Sequence, residues 1–149
     1  MTRLHPMPDP EGQLERLPDG PLCRHTCSVA FAAALELLAS VGALRPFGVI
    51  MDSKGVVHLR VPPPASRPPR RLLESIDLLL DAETDALIRG RVDAVDLRSG
   101  PDAHHAVRVV MRRAGRETLT AYQLFTMVDG EPAPQNWWVE GVPDVEPIL

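Results

Sequence analysis

Aromatic residues are scarce in this chain of 149 residues: three Phe, one Tyr and two Trp, 4% in all. A core must therefore be built from Leu, Val, Ile and Ala, and a ligand slot walled by aromatic rings is not expected. Lysine is nearly absent; Lys54 stands against fifteen arginines, a ratio that points to GC-rich bacterial coding more than to a task. Two cysteines, Cys23 and Cys27, are too few for a disulfide framework and are expected to stay reduced. No run of about 18 uninterrupted apolar residues is present, so no membrane span is expected. The first twenty residues mix Arg3 and Arg16 with Asp9, Glu11, Glu15 and Asp19 and hold no apolar run, unlike a secretory signal. A cytoplasmic location follows as the default expectation.

Motifs are missing as well. There is no phosphate-binding glycine loop, no dinucleotide fingerprint, no His-Glu-x-x-His and no nucleophile elbow. These absences lean against an enzyme without excluding a dispersed site. No metal site and no cofactor are expected either. Cys23, His25 and Cys27 offer three ligand types, but a structural zinc site wants four, and no second Cys pair exists. They read as small residues near a helix start, with any redox or metal role left open.

What is present has the balance of a folded domain: 44% hydrophobic and 24% charged residues, close to the globular average. Three segments are expected: a flexible Pro- and Gly-containing arm over 1–22, a single α+β domain over 23–130, and a Pro-rich acidic tail over 131–149 carrying Trp137-Trp138. Net charge is −4 overall, but residues 121–149 hold five acidic and no basic residues, while residues 45–120 are mildly basic.

Periodicity supplies the elements. Val29, Phe31, Ala32, Leu35, Leu38 and Ala39 recur at helical spacing behind Thr26 or Ser28 as N-cap, and Gly42 and Pro46 end that helix. Phe47–Met51 and Val56–Val61, joined by Asp52-Ser53-Lys54-Gly55, read as a hairpin. Five prolines within 62–69 read as a polyproline linker. A second helix from Arg70 presents Leu72, Leu73, Ile76, Leu79 and Leu80 on one face and ends near Leu87 to Gly90. Strands over Val92–Leu97, Ala106–Arg112 and Thr118–Val128 follow, the middle one alternating Val107, Val109 and Met111 with Arg108, Val110 and Arg112. The order α-β-β-α-β-β-β predicts a five-stranded antiparallel sheet with both helices packed on one face.

The stretch Leu37–Val57 with its Pro46-Phe47-Gly48 turn, followed by a helix, Val92-Asp93-Ala94-Val95-Asp96 and Ala106-Val107-Arg108-Val109, resembles a diffuse group of small uncharacterised bacterial α+β proteins. The likeness covers roughly residues 28–128 and rests on turns and core positions. It implies an immunity- or partner-protein role and carries no catalytic residues.

The leading expectation is a non-catalytic interaction domain, an immunity or adaptor protein that binds a protein partner, a second copy of the chain included. Arg108 and Arg112 would meet acidic groups, and Trp137 and Trp138 would anchor. The rival is a small-molecule binder or enzyme with a cavity between sheet and helices, using His58, Asp93, Asp96, His104 and Tyr122. Nucleic-acid binding by the arginine-rich strands is disfavoured, because few aromatics accompany them and the chain is acidic.

Overall fold

A computed structural model describes residues 10–62, 69–99 and 102–140. Its elements are helices α1 (Pro10–Glu15), α2 (Gly20–Val41) and α3 (Pro69–Asp81), and strands β1 (Phe47–Met51), β2 (Val57–Arg60), β3 (Ile88–Ser99), β4 (Asp102–Arg113), β5 (Leu119–Val128) and β6 (Glu131–Glu140). All six strands form one sheet in the order β2-β1-β3-β4-β5-β6, and every neighbouring pair is antiparallel.

The sheet thus has one strand more than expected. Asp129-Gly130 makes the difference. Both residues adopt positive φ, 52° and 81°, the geometry of a two-residue hairpin turn, and the chain returns along β5 as β6. Residues 131–140 of the expected tail are therefore a strand. The expected arm also holds structure: α1 lies inside it, α2 begins at Gly20, and Leu14 is fully buried. Residues 1–9, the polyproline stretch 63–68 and the tail beyond 140 lie outside the described residues.

The helices lie on opposite faces, not on one. α2 buries Cys23, Thr26, Cys27, Ala30, Phe31, Ala34 and Leu38, spaced by three and four along one stripe. That stripe is narrow in side-chain size, so the helix sits close on Phe47, Val49, Met51, Val92, Val107, Val109, Met111, Leu119 and Ala121. Gly42 closes the helix in the left-handed conformation, its N–H bonding the Leu38 carbonyl. α3 buries Leu72, Ile76 and Leu80 against Ile50, whose side chain points the other way from Val49 and Met51. The reason is topological. β2 and β3 flank β1 and both run against it, so they are parallel to each other, and parallel strands need a crossover over a face. α3 is that crossover, and it takes the face that α2 leaves free.

α3 comes close enough to demand a glycine. A Cβ on Gly48 would stand 2.9 Å from Cδ2 of Leu80 and 3.3 Å from Cγ2 of Ile76. The helix ends at Asp81, earlier than periodicity suggests, so it spans only the β1 side of the sheet and leaves much of β4, β5 and β6 on its face uncovered.

α2 is long and apolar enough to cross a membrane by length and composition. Its buried stripe is engaged with the sheet.

Candidate functional site

Strand register builds a row of four side chains on the α3 face. Asp93 pairs with Arg108, Arg108 with Tyr122, and Tyr122 with Trp138, one residue from each of β3, β4, β5 and β6. Directly opposed residues share a face, so the row is continuous. Arg108 donates from Nε to Oδ1 of Asp93 at 2.9 Å and from a terminal nitrogen to Oδ2 at 2.6 Å, a forked pair. The Asp93 carboxylate holds the guanidinium above its ordinary range, with Tyr122 a smaller influence in the same direction. Tyr122 stacks on Trp138 with ring centroids 4.9 Å apart and planes 19° from parallel. Partial burial, then Glu140, pushes the phenol upward, so it stays protonated.

Asp93 is 7% exposed, whereas Tyr122 and Trp138 are half-buried. Val95, Ala106 and Leu124 flank the row on one side, and Arg91, Val110 and Thr120 on the other. Beyond Val110, a cleft of ≈ 320 Å³ separates the sheet from α3. Arg91 and Arg112 cross it to Asp77 (3.1 Å) and Asp81 (2.8 Å).

The expected site residues divide. Asp93, Arg108, Tyr122 and Trp138 come together, although the sequence divides them between rival expectations. Arg108 and Arg112 are not free cations waiting for an acidic partner, because each is bonded to an aspartate of its own chain. Trp137 and Trp138 do not act as a pair: consecutive strand residues point to opposite faces. Trp137 lies on the α2 side, edge-on to Phe31 at 6.2 Å, and lines a second cleft of ≈ 320 Å³ with Arg24, Cys27, Ser28, Phe31, Ala32, Leu35, Gln123 and Pro134.

The remaining polar candidates do not converge. His58 is on edge strand β2, its Nε2 2.8 Å from Oδ2 of Asp52. That contact, with the backbone N–H groups of Val56 and Lys54, holds the Asp52 carboxyl below its usual range. Asp96 faces the α2 side and meets His105 at 2.7 Å, with His105 stacked over Phe125. His104 is on the opposite face from His105, at the distal end of β4.

Cys23 and Cys27 are buried in the helix stripe. Burial pushes the Cys23 thiol up to about 12 and raises Cys27 further, with the Cys27 thiol directed at the Met111 sulfur 3.6 Å away. Neither is poised as a thiolate. His25 is exposed, and no metal-holding group of His, Cys, Asp and Glu occurs among the described residues.

Sequence reasoning missed two anchors. Arg113, with a side chain 3% exposed, donates to both carboxylate oxygens of Asp19 and to the Glu117 carbonyl, tying the start of α2 to the β4–β5 turn. Gln123 donates to the carbonyls of Leu124 and Gln135 and fixes the irregularity where β6 slips register against β5. Alternation placed Arg113 on the side of Met111 and Val109, which was the available signal.

Comparison with protein-family models, with curated proteins and with solved structures gives no match.

Proposed function

We propose that this protein is a non-catalytic interaction domain that receives a protein partner on the open part of its α3 face, in the manner of an adaptor or immunity protein acting in the cytoplasm. The observation that carries the reading is the cross-strand row Asp93–Arg108–Tyr122–Trp138. Trp, Tyr and Arg are the side chains that dominate binding energy at protein interfaces, where they act from well-packed positions. Here the indole and the phenol are stacked and held half-buried, so little side-chain entropy remains to be lost on binding. The guanidinium arrives neutralised by Asp93, which lowers the desolvation cost of covering it. Val95, Val110 and Leu124 add apolar surface at the sides.

The other arginines support a protein partner over nucleic acid. Arg89 bonds the Leu80 and Glu83 carbonyls, and Arg91, Arg112 and Arg113 bond aspartates. Phosphates would have to compete with partners already in place.

The test is site-specific photo-crosslinking in cells of the source organism. A photoreactive phenylalanine analogue replaces Tyr122, Leu124 or Trp138 in turn, with exposed Leu78 on α3 and Glu36 on α2 as controls. Adducts of one defined mass from the three sheet positions, absent from the controls and lost on Arg108→Ala, are expected. No adducts, or equal adducts from all five positions, would overturn the reading.

A further inference from the structure

The two edges of the sheet are treated differently. On β6 the bonded pair beside the turn is Val128 with Glu131, so Pro132 and Pro134 occupy positions whose N–H would face outward. With Glu131 and Glu140 at its ends, that edge is blunted against further pairing. The β2 edge carries no proline within Val57–Arg60, and among the described residues only the Arg60 guanidinium screens it. Its turn closes with the Asp52 N–H on the Val56 carbonyl, at 2.9 Å. Bonded pairs therefore alternate through Ile50/His58 and Gly48/Arg60, and the backbone groups of Val57, Leu59 and then Val61 point away from β1. The side chains of these three residues alternate onto the α2 face. Leu59 is 43% exposed and Val61 65% exposed.

We infer that β2 is a homodimerisation edge, pairing antiparallel with β2 of a second copy about a two-fold axis through Leu59. The pattern is palindromic: Val57-His58-Leu59-Arg60-Val61 reads apolar, polar, apolar, polar, apolar in either direction. A two-fold on Leu59 puts the two Leu59 side chains opposite each other and each Val57 opposite Val61 of the second copy, an unbroken apolar stripe. It also matches outward backbone groups to outward backbone groups. The Leu59 carbonyl now accepts the Arg60 guanidinium at 3.1 Å, a contact that the incoming strand replaces.

The self-complementary order of this segment, which a two-fold axis requires, favours a second copy over an unrelated strand. On the opposite face the axis brings His58 of one copy beside Arg60 of the other. Arg60 arrives already forked onto Glu83 (2.9 and 3.2 Å), and His58 arrives on Asp52. Each base is thus already paired with an acid of its own copy, so the two do not meet as bare charges. The proposal stands apart from the open α3 face, which remains uncovered in such a dimer.

The experiment is sedimentation equilibrium on the full chain over a concentration series reaching about 1 mM, with Leu59→Lys, Val61→Lys and, as a control of equal character on α3, Leu78→Lys. Folding of each variant is checked by circular dichroism. The expected result is a species of twice the 16.3 kDa chain mass, lost in Leu59→Lys and Val61→Lys and retained in Leu78→Lys. A full chain that stays monomeric throughout, or a dimer indifferent to the two β2 variants when they are folded, would overturn the proposal. Val61→Lys lies outside the strand ladder, so it decides the matter even where Leu59→Lys fails to fold.

Discussion

Asp93 depends on a single residue. Its carboxylate is nearly covered, and both of its oxygens are occupied by Arg108. Arg108→Ala leaves that carboxylate without its counter-charge in a largely desolvated position, and the expected loss is about 2–3 kcal/mol of folding free energy. Urea unfolding measures it, and adding Asp93→Ala in the same chain should recover part of the loss, because no charge is then left stranded. Asp52 makes a different kind of contribution. The His58 contact and two backbone donors lower its folded-state pKa below the unfolded value, so its contribution to stability is in full force above that value and disappears as the pH falls through the folded one. Glu83, lowered first by Arg60, acts in the same direction. The urea midpoint should therefore drop as the pH is taken below about 4, and the drop should be shallower in the double variant Asp52→Asn/Glu83→Gln, which starts lower at neutral pH.

At the scale of elements, the contact between α3 and β1 is set by the absence of one side chain. Gly48→Ala inserts a methyl group where Leu80 and Ile76 already stand, and the overpacking should cost about 1–3 kcal/mol. Leu80→Ala in the same chain makes room and should reduce that penalty, a coupling readable from a double-mutant cycle. Element reading from sequence worked where one physical cause dominated. Gly42 and Pro46 ended α2 as expected, and Asp52–Gly55 joined β1 to β2. It failed where causes competed. β6 reads Glu-Pro-Ala-Pro-Gln-Asn before its tryptophans, and two prolines argue against a strand unless the strand is an edge. The Asp129-Gly130 turn was the stronger signal. The sequence suggests too late a start for α2 because Gly20 and Pro21 look like loop residues, although proline is well suited to the first turn of a helix. The side chosen by α3 has no local signature, since it follows from the pairing of β1 with β3. The row at the candidate site was legible only in pieces: each residue stood out, but their common face is a property of register across four strands.

For the molecule as a whole, β6 is the strand on which closure of the α2-side core depends. Val139 is buried, Trp137 packs on Phe31, and Gln123 bonds a carbonyl of β6. A chain ending at Gly130 loses all three and bares the flank of β5 from Thr120 to Val128. That loss is comparable with the whole margin of about 5–15 kcal/mol that keeps a domain folded. The truncated protein should lose its cooperative urea transition while keeping part of its far-ultraviolet circular dichroism.

Trp137 and Trp138 are the chain's two tryptophans, and the pleat sends them to opposite sides of the sheet. Intrinsic fluorescence is therefore the sum of two emitters with separate views. One looks into the packing beneath α2 and reports on folding, and the other rests against Tyr122 and reports on whatever covers the open face. Replacing either by phenylalanine leaves a single-channel reporter, so binding and unfolding can be followed separately without attaching a dye.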